Sequence, residues 1–206
     1  MNFICMKGID INKNKDNSES FYKLTTIDEN HHGVQYTDGL IKDPKIDFLD
    51  PLETKNGIYF CKYNQIVSWI EYQDKRMEYM RKVTIPEDAE IVMYTDKLKT
   101  NKLILGPRQR IWSDYNLCLK IVKKHGSYLE FVDKIIVDEK MIDTALESDM
   151  HAFKFVDPLY HTPSMCWKAI NTYQYLCEYV RKDLMTSSLT SLLNNANGKR
   201  ICISTN

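Results

Sequence analysis

The sequence contains little glycine or proline and carries no net charge. Only 7 glycines and 6 prolines occur among 206 residues, which argues against a long disordered linker. Lysine and arginine number 28, as do aspartate and glutamate, so no overall field attracts the chain to nucleic acid or to anionic lipid. Binding to either would therefore require a local patch.

Segments typical of membrane insertion or secretion are also missing. No apolar run approaches the roughly 20 residues of a membrane-spanning helix. The first residues, MNFICMKGIDINKNKD, lack the apolar core of a signal peptide. We therefore expect an intracellular protein that does not bind membranes.

The six cysteines are few and scattered. No CxxC motif occurs, and no Cys/His pair has the spacing of zinc ligands. At this length a hydrophobic core needs neither metal nor disulfide support. The sequence thus predicts reduced thiols and no metal site.

The second half of the chain contains a pattern with a period of 24 residues. Segments 114–136, 138–160 and 162–184 align without gaps, and nine of the 23 columns are apolar in all three, where chance predicts about two. The apolar spacings within each segment predict two short helices. Asp114, Asp138 and Thr162 stand at the positions of helix N-caps.

The stretch CLKIVKKHGSYLEFV, residues 118–132, resembles a short helical repeat of the form CLxAVKxxGxxLxYV. Giant DNA viruses of the mimivirus kind carry this repeat in many copies. The resemblance implies a repeat scaffold and no particular chemistry. A pair of such short helices cannot bury its own apolar face, so we expect the copies to stack.

The first half has the shorter period of β-strands. Runs rich in β-branched and aromatic residues occur at 21–27, 57–61, 79–85, 90–96 and 102–106, and a helical spacing occurs at 63–72. The predicted fold class is α+β: a small mixed α/β domain packed on an all-α repeat of three short helical hairpins. The predicted boundaries are a flexible N-terminus at 1–20, the α+β domain at 21–112, the repeats at 113–184, and a capping helix and tail at 185–206.

A second resemblance runs in order through HHGVQYTDGL, GIYF, VTIPEDAEIV and KLKTNKLIL. The series resembles a domain of unknown function that precedes ankyrin or pentapeptide repeats in giant-virus proteins. Ile41 departs from the asparagine of that pattern, and Asn56-Gly57 departs from its paired glycines. The resemblance implies a viral protein in the host cytoplasm, or one associated with the virion.

The densest cluster of chemically versatile residues, NHHGVQYTDGL, defines a candidate pocket of His32, Gln35, Tyr36 and Tyr59. A His-Gly on a strand followed by GIYF resembles the nicotinamide site of ADP-ribosyltransferases, which implies that His32 holds the ribose and Tyr59 stacks on the nicotinamide. The glutamate that completes such sites late in the sequence has no counterpart here, because the charged residues of NKLILGPRQR are all lysine or arginine. An inactive NAD-binding relative and a purely structural loop therefore remain as alternatives.

The stretch 97–110 holds five basic residues and no acid. It defines a candidate basic patch of Lys97, Lys99, Lys102, Arg108 and Arg110. Weak nucleic-acid binding is one interpretation, and a lysine-decorated edge strand is the one we favour.

These observations favour a non-enzymatic protein that binds an unknown host or viral protein. The sequence implies no cofactor, and it does not predict the oligomeric state. NAD binding and nucleic-acid binding are the alternatives.

Overall fold

The computed structural model describes residues 4–14, 19–31, 33–43 and 56–195. The chain divides into two units, Met1–Ile111 and Trp112–Asn206. We call them unit 1 and unit 2. None of the helices within the described ranges is long and apolar enough to cross a bilayer.

Unit 1 is built on antiparallel strands. Among the described residues, eight strands form one sheet in the order β1-β10-β11-β6-β2-β9-β12-β5, and two short hairpins, β3-β4 and β7-β8, lie outside it. The other regular elements described in unit 1 are the helix α1 (Gly8–Asn14) and a 3₁₀ segment (Tyr63–Trp69). The strands are β1 Ile4–Lys7, β2 Phe21–Thr25, β3 Asn30–His31, β4 Val34–Gln35, β5 Gly39–Lys42, β6 Ile58–Lys62, β7 Glu71–Tyr72, β8 Lys75–Arg76, β9 Tyr79–Thr84, β10 Glu90–Met93, β11 Leu98–Thr100 and β12 Lys102–Arg110.

The core of unit 1 follows from alternation along these strands. In β9 and the residue after it, Val83 and Ile85 are buried while Lys82 and Thr84 face solvent. Phe21 on β2 packs edge-to-face on Phe60 of β6, with ring centroids 5.7 Å apart. Both rings belong to the buried cluster that stabilises the sheet.

Residues 4–14 differ from the flexible N-terminus expected at 1–20, because they form β1 and α1. Strand β1 pairs with β10 at the edge of the sheet, with Cys5 opposite Val92. A β-carbon on Gly8 would lie 2.0 Å from the Pro86 carbonyl oxygen, so only glycine allows this approach. A four-residue strand with mostly exposed side chains has little hydrophobic alternation to reveal it.

The described part of unit 2 contains four α-helices, each followed or preceded by shorter turns of 3₁₀ helix. The α-helices in the described residues are α2 Tyr115–Lys124, α3 Glu139–Ser148, α4 Pro163–Thr172 and α5 Ser187–Asn195. The 3₁₀ segments are Ile111–Ser113 at the boundary of the units, Gly126–Phe131, Lys134–Ile136, Met150–Phe155, Pro158–Tyr160, Gln174–Tyr179 and Lys182–Leu184.

The predicted N-caps start the three longest helices. Asp114 accepts a hydrogen bond from the Leu117 amide at 3.0 Å. Asp138 and Thr162 make the equivalent bonds at the starts of α3 and α4. These side chains satisfy amide groups that the first turn leaves without partners, which explains where each helix begins.

The fold class predicted from the sequence is wrong. Unit 1 is a large eight-stranded antiparallel sheet within the described residues, where a small mixed α/β domain was expected. Unit 2 is not an all-α repeat of three helical hairpins, because the second member of each expected hairpin is a 3₁₀ segment. The molecule is a mixed α and β protein.

The short length of these segments explains their 3₁₀ geometry. Gly126–Phe131 has six residues and ends at Val132, which has an extended conformation and whose amide bonds to Leu129, three residues back. So short a segment forms few α-helical hydrogen bonds, and the cost of nucleating an α-helix is not recovered. The tighter i to i+3 pattern is the form used in such short pieces.

Candidate functional site

Unit 1 contains a cavity with a volume of about 120 Å³. Its walls come from β2, the loop that follows β2, β6, the 3₁₀ segment Tyr63–Trp69 and the β7-β8 hairpin. Lys97, which directly precedes β11, also lines it. Most of the described lining residues are aromatic or basic, and none of them is an aspartate or glutamate. They are Tyr22, Lys23, Leu24, His31, Tyr36, Gly57, Tyr59, Phe60, Cys61, Trp69, Tyr72, Met77 and Lys97.

A buried ion pair fixes the loop that carries His31 and Tyr36. Glu29 has a positive φ of 50°, which turns the chain back on itself. Its carboxylate accepts two hydrogen bonds from the Arg81 guanidinium, from Nε at 2.9 Å and from Nη2 at 3.1 Å. Arg81 also contacts Asp38 and donates to the Gly106 carbonyl at 3.0 Å. Both ends of the loop are thus tied to the sheet through one side chain.

Lys23 is a buried cation in the wall of the cavity. Its side chain extends from β2, the residue is 5% exposed, and Nζ lies 3.5 Å from Nδ1 of His31. Nζ also sits 4.4 Å from the centre of the Tyr36 ring. Among the described residues no carboxylate pairs with it. Burial lowers the pKa of Lys23 to about 8, and neighbouring Cys61 acts weakly in the opposite direction.

Lys97 supplies a second cation, held by aromatic rings. Its Nζ lies 4.7 Å from the centre of the Trp69 ring and 4.8 Å from that of Tyr59. Trp69 donates its indole N–H to the Asp96 carbonyl at 2.9 Å, which orients the ring. The part of the chain that the structure describes offers Lys97 no carboxylate partner either, so its ammonium group is stabilised by ring faces.

The structure brings together only part of the predicted pocket. Tyr36 and Tyr59 both line the cavity. Tyr36 is 3% exposed, and burial raises the pKa of its hydroxyl. Gln35 is exposed, lies outside the lining and donates to the Asp28 carbonyl at 3.2 Å, so it stabilises the loop. His32 lies outside the described residues.

Sequence reasoning missed His31, Lys23 and Trp69. His31 lines the cavity and packs edge-to-face on Tyr36, with centroids 5.5 Å apart. Alternation along an extended chain predicts that one of two adjacent histidines points inward, but not which one. Lys23 stands in an ordinary strand pattern, and nothing local in the sequence signals that its charge is buried.

The five residues of the predicted basic patch have different surroundings. Lys97 lines the cavity and Lys99 is 1% exposed. Lys102 forms an ion pair with Asp88, Arg108 contacts Glu29 at 3.4 Å, and Arg110 pairs with Glu78 at 2.8 Å. The acidic partners of Lys102, Arg108 and Arg110 therefore lie on other elements of the chain. Because these three side chains are already paired, their arrangement does not favour a surface that binds nucleic acid.

Unit 2 presents an aromatic cluster, which we define as His151, Tyr173 and Tyr175. The His151 ring lies 4.1 Å from that of Tyr173 and 5.9 Å from that of Tyr175. The two tyrosines are 38% and 42% exposed. Asp149 fixes the histidine by a 2.9 Å contact with Nδ1. The cluster thus holds flat, partly apolar groups at the surface.

Within the described ranges, no group of three or more histidine, cysteine, aspartate or glutamate residues is arranged to hold a metal ion. Comparison with protein-family models, with curated proteins and with solved structures gives no match. The cavity of unit 1 and the aromatic cluster of unit 2 are therefore the two candidate sites.

Proposed function

We propose that the protein binds another protein through the aromatic cluster of unit 2. The observation that carries this proposal is the contact between the rings of His151 and Tyr173, which lie 4.1 Å apart at the surface of unit 2. Tyrosine is enriched in protein interfaces because it offers a large rigid area with a polar end. Trp167, on α4 of the same unit, is 49% exposed and adds apolar surface.

The resemblances seen in the sequence suggest the setting. A giant-virus protein of this kind acts in the host cytoplasm or on the virion, and its partner is a host or viral protein. The role is that of a scaffold or adaptor, without catalysis and without a cofactor.

The test is affinity capture with the full chain and a variant that lacks the two exposed rings. The double variant Tyr173→Ser, Tyr175→Ser removes most of the cluster. Ile27→Ser is the matched control, because Ile27 is 76% exposed in unit 1. We expect a partner that the wild type and the control enrich and the double variant does not. Equal enrichment by all three proteins would refute the proposal.

A second candidate function is binding of NAD or a related ligand in the cavity of unit 1. Tyr36 and Tyr59 favour it, since both line the cavity. Transfer of an ADP-ribosyl group is not supported, because the described lining has no carboxylate to stabilise a developing positive charge. A thermal titration tests binding, since a ligand of the folded state raises the melting temperature.

A further inference from the structure

We infer that the cavity of unit 1 binds a small aromatic carboxylate with a single ring. The inference rests on the binding half of the second candidate function and names the ligand class for that site. It is independent of the protein interaction proposed for unit 2.

The lining of the cavity carries positive charge without acidic side chains among its described residues. Two ammonium groups, of Lys23 and Lys97, reach the cavity, and the described lining offers no acid to balance them. A buried cation without a counter-ion is unfavourable, and a bound anion removes that cost. The cavity therefore selects for negative charge.

Hydrogen-bonding capacity points to the position of the anion. An ammonium group has three donors, whereas the polar contact of Lys23 Nζ among the described residues is the one with His31 Nδ1, at the long limit of 3.5 Å. A carboxylate oxygen beside Nζ would accept a short charge-assisted bond in a site shielded from water. Lys23 is the anchor we assign, and Lys97 adds attraction from the other wall.

Shape and lining define the rest of the ligand. Five aromatic residues, Tyr36, Tyr59, Phe60, Trp69 and Tyr72, line the cavity, which suits a planar apolar group. The volume of about 120 Å³ is below the roughly 300–1,000 Å³ typical of sites for drug-sized molecules. One ring with a short acidic group fits this space better than a dinucleotide.

Calorimetric titration of the full chain at about pH 7 distinguishes the ligand classes. The probes are benzoate, benzamide, acetate and NAD. We expect benzoate to bind at least about tenfold more tightly than benzamide, which lacks the charge, and than acetate, which lacks the ring. Benzamide binding as tightly as benzoate would overturn the requirement for charge, and acetate binding as tightly would overturn the requirement for a ring.

The same titration separates this inference from the second candidate function. Binding of NAD without binding of benzoate would overturn the inference and leave that function standing. Binding of benzoate without NAD supports the inference and argues against the dinucleotide. Absence of binding by all four probes would overturn both.

Variants locate the anchor. Lys23→Met and Lys97→Met are each expected to weaken benzoate binding about tenfold or more, because the first removes the donor to the carboxylate and the second removes a positive charge that attracts it. Lys13→Met, on an exposed part of α1, is the matched control and should bind as the wild type does. If Lys23→Met fails to fold, Lys97→Met still decides, since Lys97 is only half-buried. Unchanged affinity in either folded cavity variant would overturn the assignment.

Discussion

Arg81 and Glu29 form a two-pronged ion pair between β9 and the loop that follows β2. The two hydrogen bonds measure 2.9 and 3.1 Å, and the side chains are 6% and 9% exposed. Because Arg81 also binds Asp38 and the Gly106 carbonyl, one guanidinium orders the loop on which His31 and Tyr36 stand.

Replacing Arg81 by lysine should destabilise unit 1. Lysine keeps the charge but cannot present two parallel N–H donors to a carboxylate. Removing one partner of a buried pair costs about 3–5 kcal/mol, and we expect Arg81→Lys to approach the lower figure in urea unfolding. Arg76→Lys is the control, because its contact with Glu78 is longer, at 3.6 Å, and more exposed. If Arg76→Lys lost as much free energy of unfolding as Arg81→Lys, this explanation would be contradicted.

Replacing Lys23 by methionine should stabilise the protein at neutral pH. Burial depresses the pKa of Lys23 from 10.5 to about 8, so the folded state holds its proton less tightly than the unfolded chain does. The free-energy cost of burying the charged Lys23 side chain is fully present below about pH 8 and amounts to about 3 kcal/mol. This cost is relieved as the pH rises towards 10.5. The groups facing Nζ are His31, Tyr36 and the Cys61 thiol, whose own pKa burial raises to about 12, above this window.

Urea unfolding at several pH values measures the effect. The free-energy difference between Lys23→Met and wild type should shrink between about pH 8 and pH 10.5. Lys13→Met, at an exposed position, should show no such trend. A variant less stable than wild type at pH 7 would contradict the argument, because it would mean that the buried ammonium is stabilising.

Local patterns explain which parts of the fold could be predicted. Asp114, Asp138 and Thr162 cap α2, α3 and α4 at the predicted positions, because capping involves residues three apart in the chain. The sequence did not predict the 3₁₀ segments, since apolar residues at i and i+3 fit an α-helix and a 3₁₀ helix equally well. The burial of Lys23 was not predicted either, because it depends on residues such as Tyr36 and Phe60, which line the same cavity but lie further along the chain.

Substituting Gly126 by alanine should destabilise unit 2. A β-carbon there would lie 2.2 Å from the Ala145 carbonyl oxygen and 2.9 Å from the Asp149 amide nitrogen. Both atoms belong to backbone, and they are joined by a hydrogen bond of 2.8 Å, so neither can move aside cheaply. We expect a loss of about 3 kcal/mol in chemical unfolding.

Gly106→Ala is the matched control for Gly126→Ala. The nearest atom to a β-carbon at Gly106 is the Lys82 carbonyl oxygen at 3.6 Å, an ordinary contact. Its stability should stay within about 1 kcal/mol of wild type. Similar losses at both glycines would show that the close approach to Ala145 is not the cause.

His161 should make unit 2 sensitive to acid. Its ring stacks on Phe153 with centroids 4.5 Å apart and is 5% exposed, and the backbone of Val156 favours the charged form less than burial disfavours it. Burial lowers the pKa of His161 below its usual 6.5, so the unfolded chain takes up a proton first as the pH falls. The stability contributed by neutral His161 is therefore complete above about pH 6.5 and is lost as the pH falls below it.

Thermal unfolding of wild type and His161→Phe between about pH 5 and pH 7 tests this dependence. Phenylalanine keeps the stacked ring on Phe153 and removes the titrating nitrogens, so the variant should lose less stability on acidification. His125→Phe, which removes an exposed histidine of the same unit, should keep the wild-type slope. Equal slopes for wild type and His161→Phe would mean that protonation of this ring does not limit stability in acid, and the cause would then lie with the carboxylates.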